Sequence, residues 1–164
     1  MEEWRSIPGF ENYAVSDQGR VMNLDTDYFM ALTRNQRGIL MVGLVRDGVQ
    51  YKRSVTVLVA DAFLEPHKLP AFDTPVNLDG DRTNNEVENL VWRPRWFAVK
   101  YAQQFYSSER GFLVPIEDIA TGETFPTSWE AATKYGLLDR EILTATINHT
   151  FVWPTYQRFR VLGE

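Results

Sequence analysis

No cysteine occurs among the 164 residues, and histidine occurs only twice, as His67 and His149. The first absence excludes disulfides and thiolate zinc sites, and the second leaves too few imidazoles for a histidine-built metal centre. A bound ion would need oxygen ligands, which points to magnesium or manganese. Positive charge is also short: 17 Lys and Arg against 22 Asp and Glu give a net charge of -5. Such a chain does not adhere indiscriminately to phosphate, so any contact with nucleic acid must come from local basic surfaces. No apolar run approaches the roughly 18 residues of a membrane span. The opening MEEWRSIPGF has no basic start followed by an apolar core, and the expectation is a soluble cytoplasmic protein without membrane contact. What is present is a 44% hydrophobic, 13% aromatic composition. That is enough for a sizeable core, or for two or three small modules that support one another.

Turn signals divide the first 53 residues: Pro8-Gly9, Asp17-Gln18-Gly19 and Asn35 to Gly38. Between them Tyr13–Ser16, Arg20–Met22 and Ile39–Val45 read as strands of a small antiparallel sheet. Asp47-Gly48 is a hairpin signal that pairs Leu40–Val45 with Val49–Arg53. Arg34, Arg37, Arg46, Lys52 and Arg53 make this part basic, and a sheet surface of that kind can enter a major groove. Ser54 to Phe63 is rich in β-branched residues, yet Val55, Leu58, Val59, Ala62 and Phe63 fall at helical spacing, and Ser54 can cap. A helix is expected there.

A proline-bearing connection, Glu65 to Pro75, leads into PVNLDGDRTNNEVENLVW, residues 75 to 92. Residues 93–111 read as a basic helical linker with Arg93, Arg95 and Lys100. Beyond the boundary at Ser107 to Gly111, Phe112–Ala120 is extended. Thr127 with Glu130 has a capping-box pattern, and Gly136 stops that helix. Asp139 can cap a second helix from Arg140 to about Ile147, and Tyr156–Leu162 closes as a strand. Two short helices across a glycine turn outline a helix-turn-helix. In that motif Asp139, Arg140, Glu141 and Thr144 would lie at the start of the base-reading helix. Arg140 suits guanine, Glu141 cytosine and Thr144 a thymine methyl. Trp129, Ala132, Leu137, Ile142 and Ile147 read as core.

Three signatures in this order carry a resemblance. Glu3 to Tyr13, continuing through Val15-Ser16 and Gly19-Arg20-Val21, resembles the small N-terminal motif of phage and intron-encoded HNH homing endonucleases. Leu58 to Phe63, Asp79 to Asn85 and Glu88 to Trp92 resemble their nuclease core, and Phe125 to Ile147 their appended helix-turn-helix, a looser match. The resemblance implies an α+β chain of four parts. These are an N-terminal DNA-binding sheet (1–53), a ββα-metal core (54–92), the basic linker (93–111) and a helix-turn-helix module flanked by short strands (112–164). It further implies site-specific nicking or cutting of duplex DNA with one divalent ion, magnesium or manganese. A long specific site and monomeric action in a phage-infected or bacterial cell follow from the same likeness.

In that family the motif reads histidine, any residue, Asp-Gly, which puts Asn77 where the general base belongs. A neutral amide has no useful basicity near pH 7, and loss of a general base costs roughly 10²–10⁴-fold in rate. A one-residue deletion would instead make Asn77 the adjoining metal ligand, with the histidine gone; either alignment leaves no base. Asn89 matches the metal-binding position on the helix of the motif, and Asp79 and Asn85 are its companion loop residues. The plainer reading of the loop is an Asp-Gly turn with self-bonding asparagines. Catalysis lost in the lineage and a substitution introduced into an intact enzyme both explain Asn77. Three functions stay open: an impaired endonuclease, a sequence-specific DNA-binding regulator, and a protein-interaction inhibitor of host machinery.

Overall fold

The computed structural model describes residues 1–164. They form two compact units, Met1–Arg95 and Trp96–Glu164. The segment expected as a linker therefore contributes most of its length to the second unit.

In the first unit, β1 (Trp4–Ile7), β2 (Phe10–Ser16), β3 (Val21–Asn23) and β4 (Tyr28–Phe29) make a four-stranded antiparallel meander. A second sheet joins β5 (Thr33–Arg34), β6 (Leu40–Arg46) and β7 (Val49–Ser54). The β6–β7 hairpin turns at Asp47 and Gly48, both at positive φ (52° and 76°). Those are the angles a type I′ turn demands, and the aspartate-glycine pair supplies them. Helix α1 (Val55–Phe63) follows directly, its N-terminus capped by the Ser54 hydroxyl, which accepts from the Val57 N–H. Val55, Val59 and Ala60 are fully buried with Val42, Leu44, Val15 and Val21 in one core. Helical spacing thus outweighed β-branching, because that spacing delivers one continuous apolar face to both sheets.

The central pair β8 (Thr74–Asn77) and β9 (Leu90–Arg93) is antiparallel, with Val76 opposite Val91 and Asn77 opposite Leu90. Val76 and Leu90 lie on opposite faces of this ribbon and are each 5% exposed, and Leu90 joins the core formed with α1. Asn89 does not lie on an α-helix: it ends a single 3-10 turn, Val87–Asn89, immediately before β9. Three residues are too few for an α-helical ladder, and strand pairing claims the chain from Leu90 onward.

In the second unit, α2 (Arg95–Gln104) begins at the unit boundary. Strands β10 (Ile116–Asp118), β11 (Thr124–Phe125) and β12 (Phe159–Val161) form a sheet in the order β11-β10-β12. Helix α3 (Ser128–Tyr135) carries the expected capping box of Thr127 and Glu130 and ends at Gly136 with φ of 70°. Helix α4 (Asp139–Ile147) has Leu138 rather than Asp139 at its N-cap. Ile116, Ala131, Ala132, Leu137 and Ile142 are fully buried in this unit's own core. Ile147 departs from the expectation, being 62% exposed at the last turn of α4.

Candidate nuclease-type site

The loop between β8 and β9 is built by its own polar side chains. Gly80, at φ of 77°, lets the chain reverse, and its N–H donates to the Asn77 carbonyl at 2.9 Å. Asp79 accepts from the Asp81 N–H (2.9 Å) and the Asn89 amide (2.9 Å) through Oδ1. Its Oδ2 accepts from the Asn84 amide at 2.8 Å. Asp81 in turn accepts from the Thr83 hydroxyl (2.6 Å) and N–H (2.9 Å). These bonds, with the positive charge of Arg34, hold the Asp81 carboxyl below the usual carboxylate range.

Asn77 sits between this loop and α1. Its Nδ2 donates to the Asn84 carbonyl at 2.8 Å and to Asn85 Oδ1 at 3.0 Å. A carbonyl only accepts, so the atom facing Asn84 must be the nitrogen, and the Asn85 atom facing that nitrogen must be oxygen. Asn85 Oδ1 also accepts from the Thr56 hydroxyl of α1 at 2.6 Å. Asn85 is 2% exposed, and its own Nδ2 is buried without a hydrogen-bond partner. Asn89 Nδ2 donates to the same Asn84 carbonyl (2.9 Å), while Asn89 Oδ1 accepts from the Asp79 N–H (3.1 Å). Asn77, Asp79, Asn85 and Asn89 are thus brought together in one network.

With an amide at position 77, this arrangement does not fit a divalent cation. Asn77 and Asn89 turn their NH₂ groups into the loop, and both oxygens of Asp79 accept from N–H donors. No group of three or more His, Asp or Glu side chains that could hold a metal occurs anywhere in the chain. A hard cation needs oxygen lone pairs directed at one point, whereas both Asp79 oxygens and Asn89 Oδ1 accept from protein N–H groups. No proton acceptor of suitable basicity joins the network either. His67 stacks on Phe72 (centroids 3.8 Å apart) and accepts from the Leu69 N–H through Nδ1. His149 lies in the loop after α4, where its carbonyl accepts from Arg158.

The turn between β2 and β3 buttresses the loop. The Val87 N–H donates to the Asp17 carbonyl at 2.8 Å. Gly19, at φ of 83°, lies so close that a Cβ there would be 3.0 Å from Asn85 Cβ. Part of the N-terminal motif therefore supports the central loop.

The expected basic residues separate into distinct groups. Arg34 and Arg37 are exposed near the loop, and Arg82 joins them by donating to the Arg37 carbonyl at 2.9 Å. Nothing in the sequence marks Arg82 as a contact, because it stands between the turn-forming Asp81 and Thr83. Strand alternation puts Lys52 on the opposite face of β7 from Tyr51 and Arg53. The guanidinium of Arg46 lies over the rings of Phe10 and Tyr51 at 4.7 and 4.8 Å, and that of Arg53 over the same pair at 5.4 and 5.3 Å. Arg93, expected on a basic surface, is 5% exposed and donates to the Trp92 carbonyl. Its alternation on β9 turns it inward and removes it from the candidate contacts, whereas Arg95 and Lys100 remain exposed.

In the second unit Arg140, Glu141 and Thr144 are all exposed on α4, and the Arg140 guanidinium pairs with Glu109 at 3.0 Å. Asp139, grouped with them from the sequence, is 2% exposed. Its carboxylate accepts from the Gly111 N–H at 2.7 Å and from the Ser128 hydroxyl, which fastens the preceding loop to both helices.

Residues 2–45 match the model of the NUMOD4 motif. Over 95 residues the chain is 37% identical to an uncharacterized HNH endonuclease, L247, of Acanthamoeba polyphaga mimivirus, which covers 56% of this chain and 23% of that relative. The match thus spans less than a quarter of the relative's length. Among solved structures, one titled for DNA binding and cleavage by the HNH homing endonuclease I-HmuI superposes with a TM-score of 0.57. It covers 99% of both chains at 20% identity, which establishes a shared fold. The resemblance read from the sequence is borne out, as is the mixed α+β architecture of small antiparallel sheets and four helices.

Proposed function

We propose that this chain is an HNH homing endonuclease-type protein that recognises a long specific site in duplex DNA and hydrolyses it very slowly or not at all. The similarity to an HNH endonuclease and to the fold of I-HmuI supports the DNA-binding part. One observation carries the catalytic part: at the position of the general base, Asn77 spends both amide hydrogens on Asn84 and Asn85. An amide so placed cannot take a proton from water. The exposed cations Arg34 and Arg37 and the half-buried Arg82 beside the loop, Lys52 on the sheet, Arg95 and Lys100 on α2, and Arg140 on α4 are the proposed phosphate and base contacts. Monomeric action and a cytoplasmic location belong to the same proposal.

The decisive experiment compares three proteins on long duplexes with magnesium and with manganese. These are the chain itself, Asn77→His, and a form with one histidine inserted after Asn77. Nicking or cutting at a defined site by either histidine form, with the parent chain at least about a hundredfold slower, is the expected result. Tight, salt-sensitive binding with no cleavage by any of the three would replace the endonuclease reading with that of a DNA-binding regulator. Absence of duplex binding even at low salt would sink both.

A further inference from the structure

Helix α2 exposes a large aromatic ring that its neighbours hold still. Phe97 and Tyr101 are each 1% exposed, but Trp96 is 55% exposed. The Trp96 indole lies within 20° of parallel to that of Trp153, with centroids 5.4 Å apart. Phe97 meets Trp96 edge-on at 5.8 Å and lies 5.7 Å from Trp153. One turn along the helix, the Lys100 ammonium lies over the Trp96 ring, 5.6 Å from its centroid. No Asp or Glu occurs anywhere in α2, although the whole chain carries a net charge of -5.

An exposed indole fixed by a second indole and a buried phenyl ring presents a flat face whose orientation is already set. Little side-chain entropy remains to be lost when a flat partner stacks on it. The acid-free cationic helix around it selects a partner that carries negative charge beside its ring. An unstacked nucleobase with its phosphodiester has that combination, and aromatic faces flanked by cations hold bases of any sequence. A base inside a duplex has both faces covered, so the partner must be unpaired or extruded.

We propose that Trp96, backed by Trp153, is a stacking platform for an unstacked nucleobase, with Lys100 holding the adjacent phosphate. This rests on nucleic acid being the ligand, as proposed above, and adds a binding mode that duplex recognition does not require.

The test uses the full chain and 2-aminopurine placed either in a short single strand or opposite an abasic site in a duplex. Binding should quench the fluorophore. Quenching in both substrates identifies an extruded base as a ligand, and quenching in the strand alone identifies single-stranded nucleic acid. Trp96→Ala should weaken binding to these substrates about tenfold and remove the quenching, since one base–aromatic stack is worth about 1–3 kcal/mol. Trp96→Phe should retain most of both. Trp96→Leu, apolar but without a π face, should behave as alanine does and decides the matter if the alanine form fails to fold. Lys100→Gln should lower the salt slope on single strands by about 0.7. Undiminished binding and quenching in Trp96→Ala and Trp96→Leu overturns the platform, even where duplex binding is intact. Quenched single strands without duplex binding would uphold the platform and defeat the duplex-recognition reading.

Discussion

The side-chain amides of Asn77 and Asn89 donate to one oxygen, the Asn84 carbonyl, at 2.8 and 2.9 Å. Both lone pairs of that carbonyl are occupied, and the two asparagines at the positions expected for base and metal ligand are joined through it. The consequence is a loop whose polar groups bond mainly to one another, with Asn85 Nδ2 left unpartnered. Its stability should therefore depend unequally on its members.

Asn85→Ala should be the most damaging single change in the loop. It removes the oxygen that accepts from both Thr56 and Asn77, leaving the Thr56 hydroxyl without this partner beside α1. Stranded buried donors cost about 1–3 kcal/mol each, and removal of the already unpartnered Asn85 Nδ2 offsets part of that, so a loss of about 2 kcal/mol is expected. Asn77→Ala leaves Asn84 bonded to Asn89 and Asn85 bonded to Thr56, and should cost only about 1 kcal/mol. Urea unfolding of the two variants checks the order, and equal losses would show that the network is not shared in this way.

Gly19→Ala should destabilise the first unit by about 1–3 kcal/mol, because a left-handed backbone and a close approach coincide there. The added methyl would meet Asn85 Cβ at 3.0 Å and the Asn85 backbone at 3.3 Å. Gly122 has a similar φ of 76° with nothing within 4 Å. Gly122→Ala should thus carry only the backbone cost of about 1 kcal/mol. Thermal unfolding midpoints of the two alanine forms separate contact from conformation.

The hairpin at Asp47-Gly48, the Ser54 cap and the α3 capping box were legible in the sequence because each is a short-range device. A few adjacent residues contain the whole physical cause. Strands β4 and β5, of two residues each, were not legible, since pairing with β3 and β6 defines them and no local pattern does. The site was legible as a set of residues but not as an arrangement. Spacing placed Asn77 and Asn89 in one motif, yet amide orientation depends on the Asn84 carbonyl, which any residue at 84 would supply. Asp139 misled for a related reason: its burial comes from Gly111 and Ser128, 28 and 11 positions away.

Acid should loosen the loop through Asp81. Its folded-state affinity for a proton is lowered below the ordinary value of 3.8, first by the Thr83 hydroxyl and N–H and then by Arg34. Protonation consequently favours the unfolded form. The contribution is present above about pH 4 and is lost as pH falls through the depressed folded-state value. Asp81 is exposed, so solvent screening keeps the effect modest. The stability difference between the parent chain and Asp81→Asn should shrink between about pH 6 and pH 3. A difference that stays constant over that range would show that the carboxylate bonds do not stabilise the loop.

On α4, exposure rather than sequence position selects the residues available for the proposed duplex contact. Arg140, Thr144 and Ile147 follow at intervals of four and three, which puts them on one helical face, and all three are exposed. Arg140 is held by Glu109 at 3.0 Å, both side chains being well exposed, so under the proposed duplex recognition DNA would compete with that carboxylate. An exposed pair of this kind is worth no more than about 1 kcal/mol. Glu109→Gln should thus tighten duplex binding by at most about fivefold at low salt, with the gain fading as salt rises. Arg140→Ala should weaken binding and abolish the effect of Glu109→Gln in the double variant. Ile147→Ala should leave the unfolding midpoint nearly unchanged while reducing discrimination at a thymine methyl. Mobility-shift titrations across a salt series check all four proteins, and a Glu109→Gln gain that persists without Arg140 would assign the effect to net charge alone.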